Sequence, residues 1–440
     1  MNIRYITPLF FLVPVLFLYG FTLTGVGFVS DDFTLIKMAE THDFFSAMEP
    51  HHHSLLINVL FKGVAAGFIG PNTFHVLALI FHVMNCLLLL YFLDSCLHIG
   101  RNKALFVCIF FAVNLPGREA LIWCCAVPYV VVTTFILLSM VIYGDALNKI
   151  PRRSTLTTTL LLSFLQFAAF MVWDWAVLIF PVLFLMACLL PNERTLKEKL
   201  RLLIVPGCVW GGIFIARQLF GMTNGYQING FSEIIKILLS APFLGLFPFL
   251  PKYFYTSSFG IMAAVVCFTG FVWTAMRNRT ILFFFAFFLL SQLPQAVFGH
   301  PQSRYFYFPV FALYASIAIL FPTRFAFSKF AIPSFILFML TGFSYMTFNR
   351  ILSWQEASQI INRLSGEIQH AMSVHKQIYL VEFPDSYGSE ETIWRPYLWR
   401  SGLEIFGKGL IKNKEPEEIF PVYTISSSDE KKPYSLIRIK

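Results

Sequence analysis

The chain has 440 residues, of which 57% are hydrophobic and 18% aromatic, while only 13% carry a charge. Soluble domains carry about 25% charged residues, so this composition excludes an ordinary water-soluble protein. The formal net charge of +9 arises entirely before Arg350, where 21 basic residues accompany 12 acidic ones, whereas 12 accompany 12 from Arg350 onward. Because this excess lies among apolar segments, we interpret it as membrane topology and exclude nucleic acid as a partner.

Apolar runs of about 20 residues, the length that crosses a bilayer, recur along the chain. We predict an all-α polytopic membrane protein with about 11 transmembrane helices plus interfacial helices. The predicted spans cover residues 5–27, 73–97, 104–117, 126–145, 155–172, 176–191, 202–219, 258–276, 280–298, 306–322 and 331–348. Two further apolar segments, 55–69 and 234–251, are short or interrupted by prolines, and we predict that they lie in the membrane interface.

The distribution of basic residues agrees with this scheme. With Arg4 on the cytoplasmic side, the inward loops carry 14 Lys and Arg residues and the outward loops carry seven. Such an excess of basic residues is typical of cytoplasmic loops. We therefore predict a multi-pass integral membrane protein whose N-terminus is cytoplasmic and whose C-terminal domain is extracytoplasmic.

The tail of the chain, residues 350–440, has a different pattern. Residues 354–376 have helical periodicity. Three later stretches alternate as strands do: 377–383, 419–425 and 434–439. We therefore divide the chain into a multi-span membrane domain, 1–349, and a small extracytoplasmic α/β domain, 350–440. The second domain carries no catalytic motif, so we expect the chemistry in the first.

Two adjacent carboxylates, Asp31 and Asp32, follow the first span at its outer end. Adjacent carboxylates raise each other's proton affinity, which suits a general base near neutral pH. Their oxygens also suit Mg²⁺ or Mn²⁺ bridging a phosphate leaving group. The alternative is that the acids only end a helix facing water. We predict Asp31 and Asp32 as catalytic residues, and as the ligands of a Mg²⁺ or Mn²⁺ cofactor if the protein uses one.

Histidines are concentrated in the next segment. His51, His52 and His53 are consecutive, so their side chains point in different directions and do not suit three ligands to one metal ion. His75 and His82 lie seven residues apart on one face of a predicted span. Polar groups inside a span serve either function or helix packing. We predict His52, His53 and His82 as substrate-binding residues; the alternative is ordinary interfacial residues for His52 and His53 and helix packing for His82.

Two outward loops carry arginine beside other polar or aromatic groups. Arg118-Glu119 is either a surface ion pair or a group that positions a polar part of the substrate. Arg304 has Tyr305 and Tyr307 beside it. A guanidinium holds phosphate oxygens through paired hydrogen bonds, and neighbouring rings suit an isoprenoid chain or a sugar face. The alternative is an interfacial aromatic belt with one cation. We predict all five as substrate-binding residues.

The order of these motifs resembles the C-type glycosyltransferase superfamily, which uses polyprenyl-phosphate-linked sugars. The resemblance is greatest to the membrane part of the O-mannosyltransferases that carry tetratricopeptide repeats, and to their bacterial relatives. Four segments carry it: 28–33 with the acidic pair, 55–85 with its His-x-x-Asn span, 118–123 (Arg-Glu-Ala-Leu-Ile-Trp) and 304–309 (Arg-Tyr-Phe-Tyr-Phe-Pro). The chain departs from that family at His53-Ser54, where Arg-Pro is frequent, and carries a small domain where the family has repeats.

The resemblance implies a membrane glycosyltransferase, a hexosyl- or pentosyltransferase, that moves a sugar from an undecaprenyl- or dolichyl-phosphate carrier to an acceptor at the extracytoplasmic face. The acceptor is a protein, a lipid or a glycan, and membrane lipids are further partners. By the same resemblance, Asp31 or Asp32 is the base or metal ligand, Arg304 and Tyr305 hold the lipid phosphate, and Glu119 orients donor or acceptor.

Two alternatives belong to other classes of protein. An envelope polysaccharide polymerase or ligase uses His and Arg in outward loops, and His300 and Arg304 fit that pattern. A lipid or solute transporter would carry charges near mid-span and broken helices in paired halves. The glycosyltransferase hypothesis requires that the acids near residue 31 and the guanidinium of Arg304 meet on one side of the membrane.

Overall fold

The computed structural model of the protein describes residues 13, 15–20, 22–28, 31–41, 54–148, 154–192, 194–219, 228–248, 257–298, 303–320, 328–374, 379–380, 422–426 and 435–438. Within these ranges the chain is mostly helical, and its strands lie near the C-terminal end. The mainly helical architecture agrees with the prediction from hydropathy.

Longer helices make up most of the described chain. In chain order they are α1 (Asp31–Thr41), α2 (Leu55–Ala65), α3 (Pro71–Tyr91), α4 (Arg101–Val113), α5 (Val127–Leu147), α6 (Thr155–Val172), α7 (Ile179–Leu189), α8 (Ile204–Leu219), α9 (Phe231–Leu246), α10 (Ser258–Arg277), α11 (Arg279–Phe298), α12 (Val310–Leu320) and α13 (Ser328–Val374). One short helical segment, Thr22–Gly25, precedes α1, and others lie between the longer helices: Phe92–Cys96, Leu115–Gly117, Glu119–Ile122, Cys124–Ala126, Asp174–Leu178, Leu196–Arg201 and Ser303–Phe306.

Several of these helices can cross a membrane. Among the described residues, 5 helical segments are long and apolar enough: Pro71–Cys96, Cys124–Leu147, Thr155–Val172, Ser258–Arg277 and Arg279–Val297. Helices also occupy other predicted spans, but α4, α7, α8 and α12 are shorter than the about 20 residues that a bilayer requires. The structure supports a multi-pass membrane protein, whereas the predicted number of spans is not confirmed.

The helix predicted to lie in the interface, α2, has only 11 residues. At 1.5 Å per residue it is about 16 Å long, roughly half the hydrocarbon thickness of a bilayer. It begins at Ser54, whose hydroxyl accepts a hydrogen bond from the backbone N–H of Ile57 at 3.1 Å and so caps the helix. Its length excludes a crossing on its own, and its position in the interface stays a prediction.

The helix α13 has 47 residues and is continuous. It extends for about 70 Å, which exceeds the thickness of a membrane, and it passes through the predicted boundary between the domains at residue 350. Beyond that boundary Ile351, Trp354 and Ser358 are buried, and the Ser358 hydroxyl accepts a hydrogen bond from the N–H of Gly27 at 2.8 Å. The first part of the tail therefore packs on the helical bundle.

Short strands occur at the three places where the tail pattern predicts them. They are β1 (Tyr379–Leu380), β2 (Val422–Ser426) and β3 (Ser435–Arg438), in the sheet order β1-β2-β3. The β1–β2 pair is parallel, and the β2–β3 pair is antiparallel with Thr424 opposite Ile437. Most of the intervening tail lies outside the described residues, so the predicted α/β domain stays a prediction.

The bundle is organised around α5. In the apolar window of Cys124–Leu147, 83% of the residues are buried, against 22% in Ser258–Arg277. The helix α5 packs against α3 and α6, while α12 packs against α4 and α11. The chain segment that leads into α5 is largely buried and contacts α1 and α3 as well, so residues 118–126 lie where several helices meet.

Candidate functional site

A sharp connection between α4 and α5 positions the candidate site. Asn114 ends α4 in the left-handed conformation, with φ 39°, which asparagine tolerates better than most residues. Its side chain accepts a hydrogen bond from the N–H of Gly117 at 3.1 Å and donates one to the carbonyl of Tyr307 at 3.0 Å. A side chain at Gly117 would collide with the Tyr307 backbone. The turn therefore holds residues 118–123 against the segment Ser303–Phe306.

Arg304 is fixed between an acid and an indole ring. Its backbone N–H donates to Glu119 Oε2 at 3.1 Å, and its guanidinium lies 3.9 Å from the same oxygen. The guanidinium also lies 4.6 Å from the ring centroid of Trp123 and 5.3 Å from that of Tyr305. A cation held against aromatic rings is oriented as well as attracted. The arrangement brings Glu119, Arg304 and Tyr305, all predicted as site residues, into one contact group.

The charge of Arg304 is permanent. Burial lowers the pKa of its guanidinium, but Tyr129, Tyr305 and Glu119 beside it raise the pKa by more, so the value lies above the ordinary one. The side chain is 16% exposed, and water therefore screens its charge less than at a free surface. A fixed cation in such surroundings is suited to bind an anionic group such as a phosphate.

Aromatic side chains surround this cation. The rings of Trp175 and Tyr305 stack with centroids 5.7 Å apart and an interplanar angle of 14°. The ring centroid of Tyr129 lies 5.3 Å from those of Trp173 and Trp175 and 5.8 Å from that of Tyr305. The phenol of Tyr129 also interacts with the guanidinium of Arg304. Such surfaces suit an isoprenoid chain or the apolar face of a sugar.

Asp32 is bound to the same central segment. Its side chain is fully buried, and its Oδ1 accepts a hydrogen bond from the backbone N–H of Cys125 at 2.8 Å. Cys125 lies two residues after Trp123, whose ring carries the guanidinium of Arg304. Asp32 and Arg304 are therefore attached to neighbouring residues of one short segment, although 272 positions separate them in the chain. Asp31 begins α1, and its side chain lies outside the described part of the structure.

His82 and Tyr307 lie in a buried polar network. The Tyr307 hydroxyl is 2.8 Å from His82 Nδ1 and 3.1 Å from Asn85 Nδ2. His82 Nε2 lies 2.9 Å from the carbonyl of Ala112, and Asn85 Nδ2 donates to the carbonyl of Val130 at 2.9 Å. The network joins α3, α4 and α5 to the segment that carries Arg304. It gives both side chains a packing role, and substrate contact by His82 and Tyr307 stays a prediction.

The remaining predicted site residues have few described contacts or none. Arg118 donates from its guanidinium to the carbonyl of Leu115 at 3.0 Å. His52, His53 and His300 lie outside the described residues. In the part of the chain that the structure describes, no group of three or more His, Cys, Asp or Glu residues suits a metal ion. A Mg²⁺ or Mn²⁺ ion at Asp31 and Asp32 therefore stays a prediction.

Some residues around Arg304 were not predicted from the sequence. Tyr129, Trp173 and Trp175 form its aromatic surroundings, and Trp354 of α13 lies 6.0 Å from Trp123, between ring centroids. The turn Trp173-Asp174-Trp175 between two spans is a sequence signal that points to this side of the membrane. Trp354 offered no such signal, because it lies within a long helical pattern.

Comparison with known proteins shows a relation in fold. No protein-family model matches the chain, and no curated protein sequence matches it. The crystal structure of ArnT from Cupriavidus metallidurans bound to undecaprenyl phosphate matches with a TM-score of 0.50 at 10% sequence identity, covering 96% of this chain and 90% of that chain. At this identity the match shows a shared fold. The resemblance inferred from the order of the motifs is therefore confirmed at the level of the fold.

Proposed function

We propose that the protein is an integral membrane glycosyltransferase that transfers a sugar from a polyprenyl-phosphate carrier to an acceptor at the extracytoplasmic face. The observation that carries the proposal is the attachment of Asp32 and Arg304 to one short segment, through Cys125 and Trp123. Such a transfer needs a cation for the donor phosphate and a carboxylate on the side of the acceptor, and this segment holds one group of each kind. The fold shared with ArnT, whose structure contains undecaprenyl phosphate, supports this class of donor.

Arg304 is assigned to the phosphate of the donor. In the transfer, the bond between the anomeric carbon of the sugar and a phosphate oxygen breaks, and the polyprenyl phosphate leaves with added negative charge. A guanidinium held in place beforehand by Glu119 and Trp123 stabilises that charge without reorganising. The rings of Trp123 and Tyr305 would flank the apolar chain or the sugar that adjoins the phosphate.

We assign Asp31 and Asp32 to the reaction of the acceptor. Its nucleophilic group forms a bond to the anomeric carbon and loses a proton, which a carboxylate accepts. Asp32 holds the N–H of Cys125 through Oδ1, so we assign it to the positioning of the site. We assign the role of base to Asp31, the adjacent residue at the start of α1.

The test is transfer by the purified full chain in lipid nanodiscs. Undecaprenyl phosphate carrying a labelled hexose, N-acetylhexosamine or pentose is supplied with membranes as acceptor, and released undecaprenyl phosphate is measured. Loss of one preorganised charge costs about 100-fold or more, so Arg304→Gln should lower the rate by that factor. Arg277→Gln is the matched control, because Arg277 also lies over an indole ring, 4.2 Å from the centroid of Trp273.

Two results would contradict the proposal. One is full transfer by Arg304→Gln and by Asp31→Ala together. The other is activity only with a pyrophosphate-linked donor, which would favour the polymerase or ligase alternative.

A further inference from the structure

The C-terminal part of α11 carries buried polar side chains that the described residues do not pair. Ser291, Gln292 and Gln295 are 0%, 0% and 3% exposed. No described residue forms a hydrogen bond with the Ser291 hydroxyl, with the side-chain amide oxygen Oε1 of Gln292 or with either polar atom of the Gln295 side-chain amide. Unpaired buried polar groups are rare, because each has lost its hydrogen bonds to water. Several of them together on one apolar helix indicate a polar ligand.

These three residues form a row along one side of the helix. Gln295 lies four residues after Ser291 and three after Gln292, and such spacings place side chains on one face of a helix. Pro294 lies within the same helix and has no N–H, so it cannot give the carbonyl four residues earlier its usual helical hydrogen bond. The row therefore offers both donors and acceptors and no charged side chain. A neutral molecule rich in hydroxyl groups is the complement of such a surface.

The row adjoins the residue that follows Arg304. Gln292 Nε2 donates a hydrogen bond to the carbonyl of Tyr305 at 3.3 Å, and α11 packs against Ser303–Phe306. The ring of Tyr305 stacks on Trp175. In a polyprenyl-phosphate sugar, the sugar is joined directly to a phosphate oxygen. A subsite for the sugar must therefore lie beside the group that holds the phosphate, and this row meets that requirement.

We infer that Ser291, Gln292 and Gln295 form the donor's sugar subsite, with Trp175 and Tyr305 as its flanking aromatic surface, and that the sugar is a neutral one. This inference deepens the proposed function and rests on it. Amide groups donate and accept at once, so they can bind adjacent hydroxyl groups of one ring. The aromatic rings would contact its C–H face.

The test compares two lipids bound to the full chain in nanodiscs. One is undecaprenyl phosphate, and the other is undecaprenyl phosphate carrying glucose, mannose, N-acetylglucosamine or arabinose. Gln292→Leu and Gln295→Leu should each weaken binding of the best sugar-bearing lipid about tenfold, the value of one or two hydrogen bonds. Gln295→Leu, whose amide no described residue pairs, should leave binding of undecaprenyl phosphate unchanged, whereas Arg304→Gln should weaken binding of both lipids.

Gln166→Leu is the matched control. Gln166 on α6 is fully buried, and neither polar atom of its side-chain amide is paired by a described residue. Gln166→Leu therefore replaces an equally buried, unpaired amide by leucine at a position outside α11. Replacing an unpaired buried amide by leucine should leave the melting temperature equal or higher. If a leucine variant fails to fold, Ser291→Ala, which deletes one hydroxyl, gives the same comparison.

The results distinguish failure of the sugar subsite from failure of the proposed function. If Arg304→Gln weakens binding of both lipids while the α11 variants keep the full preference for the sugar-bearing one, the sugar subsite is overturned and the proposed function stands. The subsite is also overturned if Gln166→Leu causes the same loss, or if no sugar-bearing lipid binds the unsubstituted protein more tightly than undecaprenyl phosphate. If Arg304→Gln changes binding of neither lipid, the proposed function itself fails.

Discussion

The guanidinium of Arg304 lies over the indole of Trp123, 4.6 Å from the ring centroid. The contact orients a cation that Glu119 also holds, and a cation–π contact of this kind contributes about 0.5–2 kcal/mol. We expect Trp123→Leu to weaken binding of undecaprenyl phosphate about 2- to 30-fold. Trp123→Phe keeps an aromatic face and should lose less. Titration of the lipid into the protein in nanodiscs measures both affinities.

The control for Trp123 is Trp273→Leu, which removes the ring beneath Arg277 on α10 and should leave lipid binding unchanged. Equal affinity of the Trp123→Leu variant and the unsubstituted protein would show that the indole does not position Arg304 for a phosphate.

Asp32 has two possible roles: it holds the Cys125 N–H through Oδ1, and a carboxylate can also accept a proton as a base. Substitutions of Asp32 distinguish the two roles. An asparagine retains an oxygen that can accept this bond, but it cannot accept a proton as a base. We expect Asp32→Asn to keep transfer within about tenfold of the unsubstituted rate and Asp32→Ala to lose more, whereas Asp31→Asn should lose at least about 100-fold. Initial rates of transfer at saturating donor give the comparison.

The order of these three rates decides the assignment. A rate for Asp32→Asn as low as that for Asp32→Ala, together with an active Asp31→Asn, would transfer the role of base to Asp32.

Much of the helical scaffold could be predicted, because it depends on local signals. The span predicted at 155–172 coincides with Thr155–Val172, since charged and proline residues precede it and a tryptophan turn follows. The helix in the span predicted at 306–322 begins later, at Val310, because the short helical segment Ser303–Phe306 precedes it and the backbone of Tyr307 is packed against Asn114 and Gly117. Hydropathy alone does not detect where that segment ends, since Phe306, Tyr307 and Phe308 are as apolar as the helix.

Of the site itself, the sequence predicted the charged members and Tyr305, but not their contacts. Arg304 and Glu119 each stood out as a charge at the end of an apolar run, but their contact joins residues 185 positions apart, and no local pattern encodes it. Trp175 lies between two predicted spans, and its position there gives no sign of its contact with Tyr305. Gln292 and Gln295 gave no signal, because isolated amides in an apolar helix look the same whether they pack or bind.

Gly117 tests whether the turn before α5 places Arg304. A β-carbon there would collide with the backbone of Tyr307 and with the Asn114 side chain, so the two segments must separate. We expect Gly117→Ala to destabilise the protein by about 1–3 kcal/mol, the usual effect of overpacking, and to weaken binding of undecaprenyl phosphate. Thermal unfolding and lipid titration measure the two effects.

The matched variant for Gly117 is Gly212→Ala in α8, where a β-carbon would meet nothing within 4 Å. Alanine in an open helical position is neutral or stabilising, so this protein should melt at the same or a higher temperature. If Gly117→Ala unfolds and binds lipid as the unsubstituted protein does, the turn does not set the position of Arg304.

The Tyr307 hydroxyl distinguishes packing from substrate binding in the buried network. Tyr307→Phe leaves His82 Nδ1 without its partner and removes one from Asn85, which should cost about 1–3 kcal/mol of stability. Tyr314→Phe is the control, because the Tyr314 hydroxyl is buried and no described residue pairs it, so its loss should cost nothing. If Tyr307 only packs, the KM for the donor, measured on the folded fraction, stays the same in both variants. A KM that rises in Tyr307→Phe alone, with an unchanged melting temperature, would instead place this hydroxyl on the substrate and restore the role predicted from the sequence.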